Sequence, residues 1–157
     1  MSPPPPRRAL ALDYGTRRIG LAVSDATGTL ATPLTTLTRR AGKRPPIARI
    51  LELARLHRVG RLVVGLPLDG DGGENSWTAE VRDFGGRLGD RSGLPVHFVD
   101  EEYSSVEAEA RIRSIGLTGK QRKDKARIDA AAAAIILQDW LDARSLDEPP
   151  PVGERRE

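Results

Sequence analysis

Apolar residues along the chain fall into two kinds of pattern. Short runs at Ala9–Leu12, Ile19–Val23 and Arg61–Leu66 are too brief for helices and predict strands, the first two joined as a hairpin that turns through Gly15. Thr29–Leu37 predicts a third strand, placed at a sheet edge because Pro33 cannot donate to a central ladder, and Leu94–Val99 predicts a further one. Elsewhere apolar positions recur at helical spacing. Ile47, Ile50, Leu51 and Ala54 follow Pro45 and Pro46, which suit a first helical turn, and Trp77, Val81, Phe84 and Leu88 form one stripe within Glu74–Leu88. Ser104 with Glu107 has capping-box spacing and predicts a helix through Ala108, Ile112 and Ile115 to Gly116. The alanine-rich Ile128–Arg144 predicts a last helix, in which Ala131, Ala132 and Ile135 can pack closely on a sheet. Strand and helix alternate, and Arg61–Leu66 is apolar on both faces, so the pattern predicts an α/β fold with helices on both sides of the sheet.

The two ends of the chain read differently. Four consecutive prolines in Met1–Arg8 predict a stiff exposed tail, and the Pro-rich, charged stretch 145–157 predicts disorder. Residues 9–144 then form one domain, and a chain of 157 residues can bury roughly 70% of its unfolded surface. Composition removes several chemistries. The absence of cysteine excludes disulfides, thiolate catalysis and Cys-based zinc sites, and two isolated histidines, His57 and His97, do not suggest a histidine-rich metal site. A net charge of +3 permits nucleic-acid binding without demanding it, so the placement of basic residues matters more than their sum. The N-terminus lacks the apolar core of a signal peptide and the longest apolar run, Ala130–Leu137, is too short to span a bilayer, so a cytoplasmic protein with no membrane partner is expected.

The acids at element ends change the picture. Asp13 closes the first strand, Asp100 and Glu101 close another, and Asp129 opens the last helix, where the helix dipole alone could explain it. Taken singly, Asp13 could merely accept N–H bonds from the turn Tyr14–Thr16. If the two strands are neighbours, however, the carboxylates converge beyond one sheet edge, where α/β folds bind ligands. Clustered carboxylates without His or Cys select Mg²⁺ or Mn²⁺, ions that bridge protein to phosphates. Basic loops at 39–44 and 120–127 could hold a nucleic-acid backbone on either side. Side chains alternate along a strand, so only one of Asp100 and Glu101 can face the site. Gly65–Gly73 is expected to be a mobile loop beside it, with Asp69 and Asp71 as turn residues.

DYGTRRIGLAVSD, VGLPLDGDGG, VDEEYSSVEAEA and KARIDAAAAAIILQ resemble, in order and spacing, the four blocks of the YqgF family of Holliday junction resolvases or pre-16S rRNA nucleases. The resemblance runs from about Leu10 to Trp140. It implies an RNase H-like fold: a mixed five-stranded sheet of order 3-2-1-4-5, strand 2 antiparallel, with helices on both faces. It further implies a carboxylate triad of Asp13, Glu101 and Asp129 that is both catalytic and metal-binding, Asp100 being the alternative to Glu101. The implied cofactor is Mg²⁺ or Mn²⁺ in a two-metal site. Nucleic acid would be held by Arg17, Arg18, Lys120, Arg122, Lys123, Lys125 and Arg127. Glu102 and Tyr103 stand where the family has Arg and Leu, which removes a phosphate contact or carboxylate partner and adds negative charge near the site.

The expected activity is metal-dependent hydrolysis of phosphodiester bonds in structured nucleic acid, with RNA, as in 5′-end processing of pre-16S rRNA, preferred over branched DNA. A junction resolvase should be a homodimer, because it cuts two strands symmetrically, whereas an RNA-processing nuclease can act as a monomer. Two other classes remain. Asp13–Thr16 also resembles the first phosphate loop of actin-like ATPases and sugar kinases, which are built from two such domains. A non-catalytic nucleic-acid-binding or transcription-associated module is the third, against which the retention of all three acids argues.

Overall fold

The computed structural model describes residues 8–39, 44–68, 71–101 and 125–147. Five strands, β1 (Arg8–Tyr14), β2 (Arg18–Ser24), β3 (Ala31–Thr38), β4 (Val59–Pro67) and β5 (Val96–Glu101), form one sheet of order β3-β2-β1-β4-β5. Strand β2 is antiparallel to both β1 and β3, while β4 runs parallel to β1 and β5. This is the expected mixed sheet. Pro33 lies on the edge strand β3, opposite Ala22, at a register shift that absorbs its missing N–H.

Helices α1 (Ile47–Leu56) and α2 (Ser76–Ser92) cover one face, and the long α3 (Lys125–Asp147) covers the other. Alternation along β1 distributes its side chains: Leu10, Leu12 and Tyr14 join the core under α1 and α2, while Ala9 and Ala11 pack beneath α3. The aromatic stripe of α2 behaves as core, with Phe84 buried and both Phe84 and Trp77 stacked on Tyr14. Asn75 caps α2 by accepting N–H bonds from Trp77 and Thr78, and Gly85 lets the helix close on Phe98.

Two expectations about the last helix are corrected. The surface of α3 that meets the sheet is Ala133, Ala134, Ile136, Leu137 and Leu141, whereas Ala131 and Ile135 form a separate cluster with Ile128. The helix is apolar nearly all round, so periodicity could not orient it. It also begins at Lys125, which puts Asp129 beyond the first turn, where the dipole no longer accounts for it. Gln138 ties α3 to the edge of the sheet, accepting from Ala31 N and donating to Thr29 O. The expected tails are each shortened, since Arg8 opens β1 and α3 runs on through residues 145–147; the rest of both tails, the predicted helix over 104–116 and most of the two basic loops lie outside the described residues.

Candidate active site

Asp13 occupies the last turn of the alternation that puts Ala9 and Ala11 under α3, so its carboxyl faces that helix too. The same parity settles the pair on β5. Val96 and Phe98 pack with the α1/α2 core, whereas His97 lies tilted against Trp140 of α3 and Val99 packs on that same side. Because β5 stays extended through Glu101, opposite Pro67, Glu101 shares the face of Asp13 and Asp100 points away, within electrostatic reach of Arg82 on α2.

Two glycines make room for this arrangement. Gly20 is the register partner of Asp13 on β2, and a Cβ there would collide with the backbone of Asp129. Gly65 lies inside β4, and a Cβ there would collide with the Glu101 carboxylate and approach Ile136 Cδ1 to 2.7 Å. The expectation of a loop beginning at Gly65 is therefore corrected: the strand continues to Pro67, and this glycine leaves space for a side chain rather than supplying mobility. Asp71 is a turn residue as expected, accepting from Gly73 N, while Asp69 falls outside the described residues.

The three acids feel one another. Burial, and then the charge of Asp129, raise the pKa of Asp13 from 3.8 to about 6. Burial, and then the charge of Asp13, raise that of Glu101 from 4.5 to about 8. Asp13 thus stands electrostatically between the other two. Asp129 has a counter-ion: Arg18 Nε donates to its Oδ2 at 2.5 Å, both side chains being partly exposed. Among the described residues no group of three or more His, Cys, Asp or Glu side chains is gathered tightly enough to hold an ion. The residues nevertheless fit a hard divalent cation in their chemistry, since the donors are all oxygen and both β-strand carboxylates carry an uncompensated cost of ionisation.

Of the basic residues singled out in the sequence, Arg17 is exposed in the β1–β2 turn and Arg18 is committed to Asp129. Lys120, Arg122 and Lys123 lie outside the described residues. Lys125 and Arg127 fall on the first turn of α3, their side chains being outside the description. Arg39 was not singled out individually. Its guanidinium, almost fully buried, lies 4.6 Å from the Tyr14 ring centroid, and its Nη1 donates to Gly15 O at 3.2 Å. It therefore braces the turn that joins Asp13 to Arg18, and only its place at the end of a strand could have signalled this.

Among the described residues no helix is long and apolar enough to cross a membrane. A relative from Anaeromyxobacter dehalogenans (strain 2CP-C), named "Putative pre-16S rRNA nuclease", is 46% identical over 138 residues, covering 88% of this chain and 98% of its own. One of the same name from Chloroflexus aurantiacus is 47% identical over 135 residues, 86% of each chain. Among solved structures, Thermus thermophilus RuvC in complex with a Holliday junction superposes with a TM-score of 0.58 over 91% of this chain and 98% of that one. At 20% identity that likeness is one of fold, the RNase H-like arrangement of sheet and helices. The RuvX family model, described as Holliday junction resolvase, matches residues 7–143, and like the curated relatives it is named for a nuclease activity. With that match spanning nearly the whole chain, and relatives this similar over nearly their whole length, the protein belongs to the RuvX family.

Proposed function

We propose that the protein is a divalent-metal-dependent nuclease that hydrolyses phosphodiester bonds in structured nucleic acid, with RNA as its substrate. The observation that carries this reading is that Asp13, near the carboxyl edge of the sheet, is raised in pKa by the charge of Asp129 as well as by burial and in turn raises that of Glu101. These three would hold Mg²⁺ or Mn²⁺, singly or as a pair. Such an ion, when bound, activates water as the nucleophile and offsets the charge that develops on the leaving oxygen.

The chain's own residues have separate tasks. Gly65 and Gly20 keep the space around the acids clear, so that the carboxylates rather than neighbouring backbone set the shape of the site. Arg39 fixes the Gly15 turn and with it the approach of Arg18. Arg17, Arg18 and the basic segment before α3 would receive the phosphates flanking the scissile bond, a contact that orients a strand without reading its sequence.

RNA is favoured because the curated relatives are named for pre-16S rRNA, which makes maturation of its 5′ end the substrate reaction we assign. The family description favours a second reading, resolution of branched DNA by a homodimer. A cytoplasmic location suits either. Purified protein with Mn²⁺ or Mg²⁺ should cleave a labelled pre-16S rRNA fragment in preference to a four-way DNA junction. Cleavage should cease in EDTA and in Asp13→Asn, and should fall steeply with salt. Cleavage that persists in EDTA or in Asp13→Asn refutes the metal-dependent mechanism, and preferential cutting of the junction refutes the RNA assignment.

A further inference from the structure

On the face of the sheet opposite the acids, but at the same carboxyl edge, a cavity of about 250 Å³ opens between the ends of β1 and β3, the residues leading into α1, and α2. Tyr14 and Phe84 are among its lining residues, and three arginines, Arg39, Arg44 and Arg87, line it from three different parts of the chain. Arg39 is the unusual one. Its side chain is only 8% exposed, yet among the described residues its buried Nε has no hydrogen-bond partner. That nitrogen lies out of a ligand's direct reach, so Arg39 acts on the cavity through the positive charge of its guanidinium.

The geometry points to a binding site for a phosphate group in this cavity, distinct from the carboxylate site. Guanidinium forks match phosphate oxygens, and a tetrahedral ligand can meet forks from several elements where a planar carboxylate cannot. Two acids also line the cavity, but both are already occupied. Glu80 accepts from Tyr14 Oη at 3.3 Å and lies 3.8 Å from Arg39 Nη2, while Asp83 pairs with Arg87 at 3.1 Å. The Asp83–Arg87 pair is exposed and therefore weak, so Arg87 can turn to a phosphate at little cost. Arg44 is exposed and has no ion pair among the described residues. Tyr14 follows Asp13 directly in β1 and faces the other way, so a strand lying over the Gly15 turn could present one phosphate to the acids and another to this cavity. The cavity's ligand class stands on its own geometry; only the assignment of that phosphate to a nucleic-acid strand rests on the nuclease reading.

Titration of the metal-free full-length protein in EDTA, followed by ³¹P NMR and calorimetry, tests this with three probes: inorganic phosphate, 5′-AMP and a 5′-phosphorylated RNA trinucleotide. Saturable binding is expected, weakened about tenfold by Arg44→Gln and also weakened by Arg87→Gln, two exposed positions at which folding is preserved. Tighter binding of the trinucleotide than of 5′-AMP assigns the site to a strand, and equal binding assigns it to a mononucleotide. Asp13→Asn should retain phosphate binding while losing cleavage, so the two readings fail separately. An absence of saturable binding by all three probes, or wild-type affinity in Arg44→Gln, overturns the site.

Discussion

Gly20 on β2 lies directly beneath the backbone of Asp129 on α3, with no room between them for a side chain. A Cβ at position 20 would collide with the Asp129 carbonyl and come within 3.0 Å of Ala130 N, both rigid backbone atoms. Since Gly20 is also paired in register with Asp13, this contact sets how close the third acid comes to the first. Gly20→Ala should therefore push α3 off the sheet. A loss of roughly 1–3 kcal/mol in urea unfolding is expected, as for other overpacked sites, together with weaker Mn²⁺ binding by calorimetry. A variant with the wild-type urea midpoint would show that α3 is not seated as described.

Arg18 and Asp129 form the one ion pair that involves the three acids among the described residues. Removing the guanidinium leaves Asp129 facing Asp13 without compensation, which a divalent cation can supply instead. Arg18→Gln should lower stability in EDTA by about 1 kcal/mol, in keeping with a partly exposed pair. It should raise Mn²⁺ affinity, because a competing cation is gone, yet reduce cleavage if Arg18 transfers to a substrate phosphate. Unchanged Mn²⁺ affinity in Arg18→Gln would separate this pair from the metal site.

The raised carboxyl pKa values make the metal-free protein more stable in mild acid. Asp13 and Glu101 keep their protons in the folded state up to about pH 6 and about pH 8, but lose them near 3.8 and 4.5 when unfolded. Between about pH 4 and pH 8 the folded state binds more protons, so stability falls as pH rises through that window, by on the order of a few kcal/mol in all. Asp25, held low by the Thr27 hydroxyl and the Thr29 and Leu30 amides, acts in the opposite sense but below that window. Melting temperatures in EDTA should drop from pH 5 to pH 8, and Asp13→Asn should flatten the slope. Saturating Mg²⁺ should recover the stability lost at pH 8. A flat wild-type profile would contradict the burial of these acids.

Much of this architecture was legible in the chain because strand signals are local. The runs at Ala9–Leu12, Ile19–Val23 and Arg61–Leu66 lie within β1, β2 and β4, and Pro33 marked the edge strand correctly. The antiparallel β2 was legible in the hairpin of the first two runs about Gly15, whereas the sheet order came from family resemblance. The sequence could nominate Asp13, Glu101 and Asp129 but not decide between Asp100 and Glu101, since that depends on how far β5 stays extended. Helix α3 misled twice, because an alanine-rich segment apolar on all sides carries neither a clear face nor a clear start. The roles of Gly20, Gly65 and Arg39 were hidden for a different reason. Each answers to a partner distant in sequence: the Asp129 backbone, the Glu101 carboxylate and the Tyr14 ring.

Gly65 offers a test in which steric cause and chemical role can be separated. A methyl group there meets the Glu101 carboxylate and the end of the Ile136 side chain; the latter can turn aside, but the former is fixed by the end of β5. Gly65→Ala should destabilise the fold by roughly 1–3 kcal/mol and abolish Mn²⁺-dependent cleavage. Shortening the acid should relieve the clash, so Gly65→Ala combined with Glu101→Asp should be more stable than Gly65→Ala alone. Two substitutions in direct contact are expected to deviate from additivity by about 0.5–3 kcal/mol. Strict additivity in urea unfolding would mean that the Glu101 side chain does not rest on Gly65. Recovered stability with recovered cleavage would place the carboxylate's reach, rather than its length, at the centre of the site.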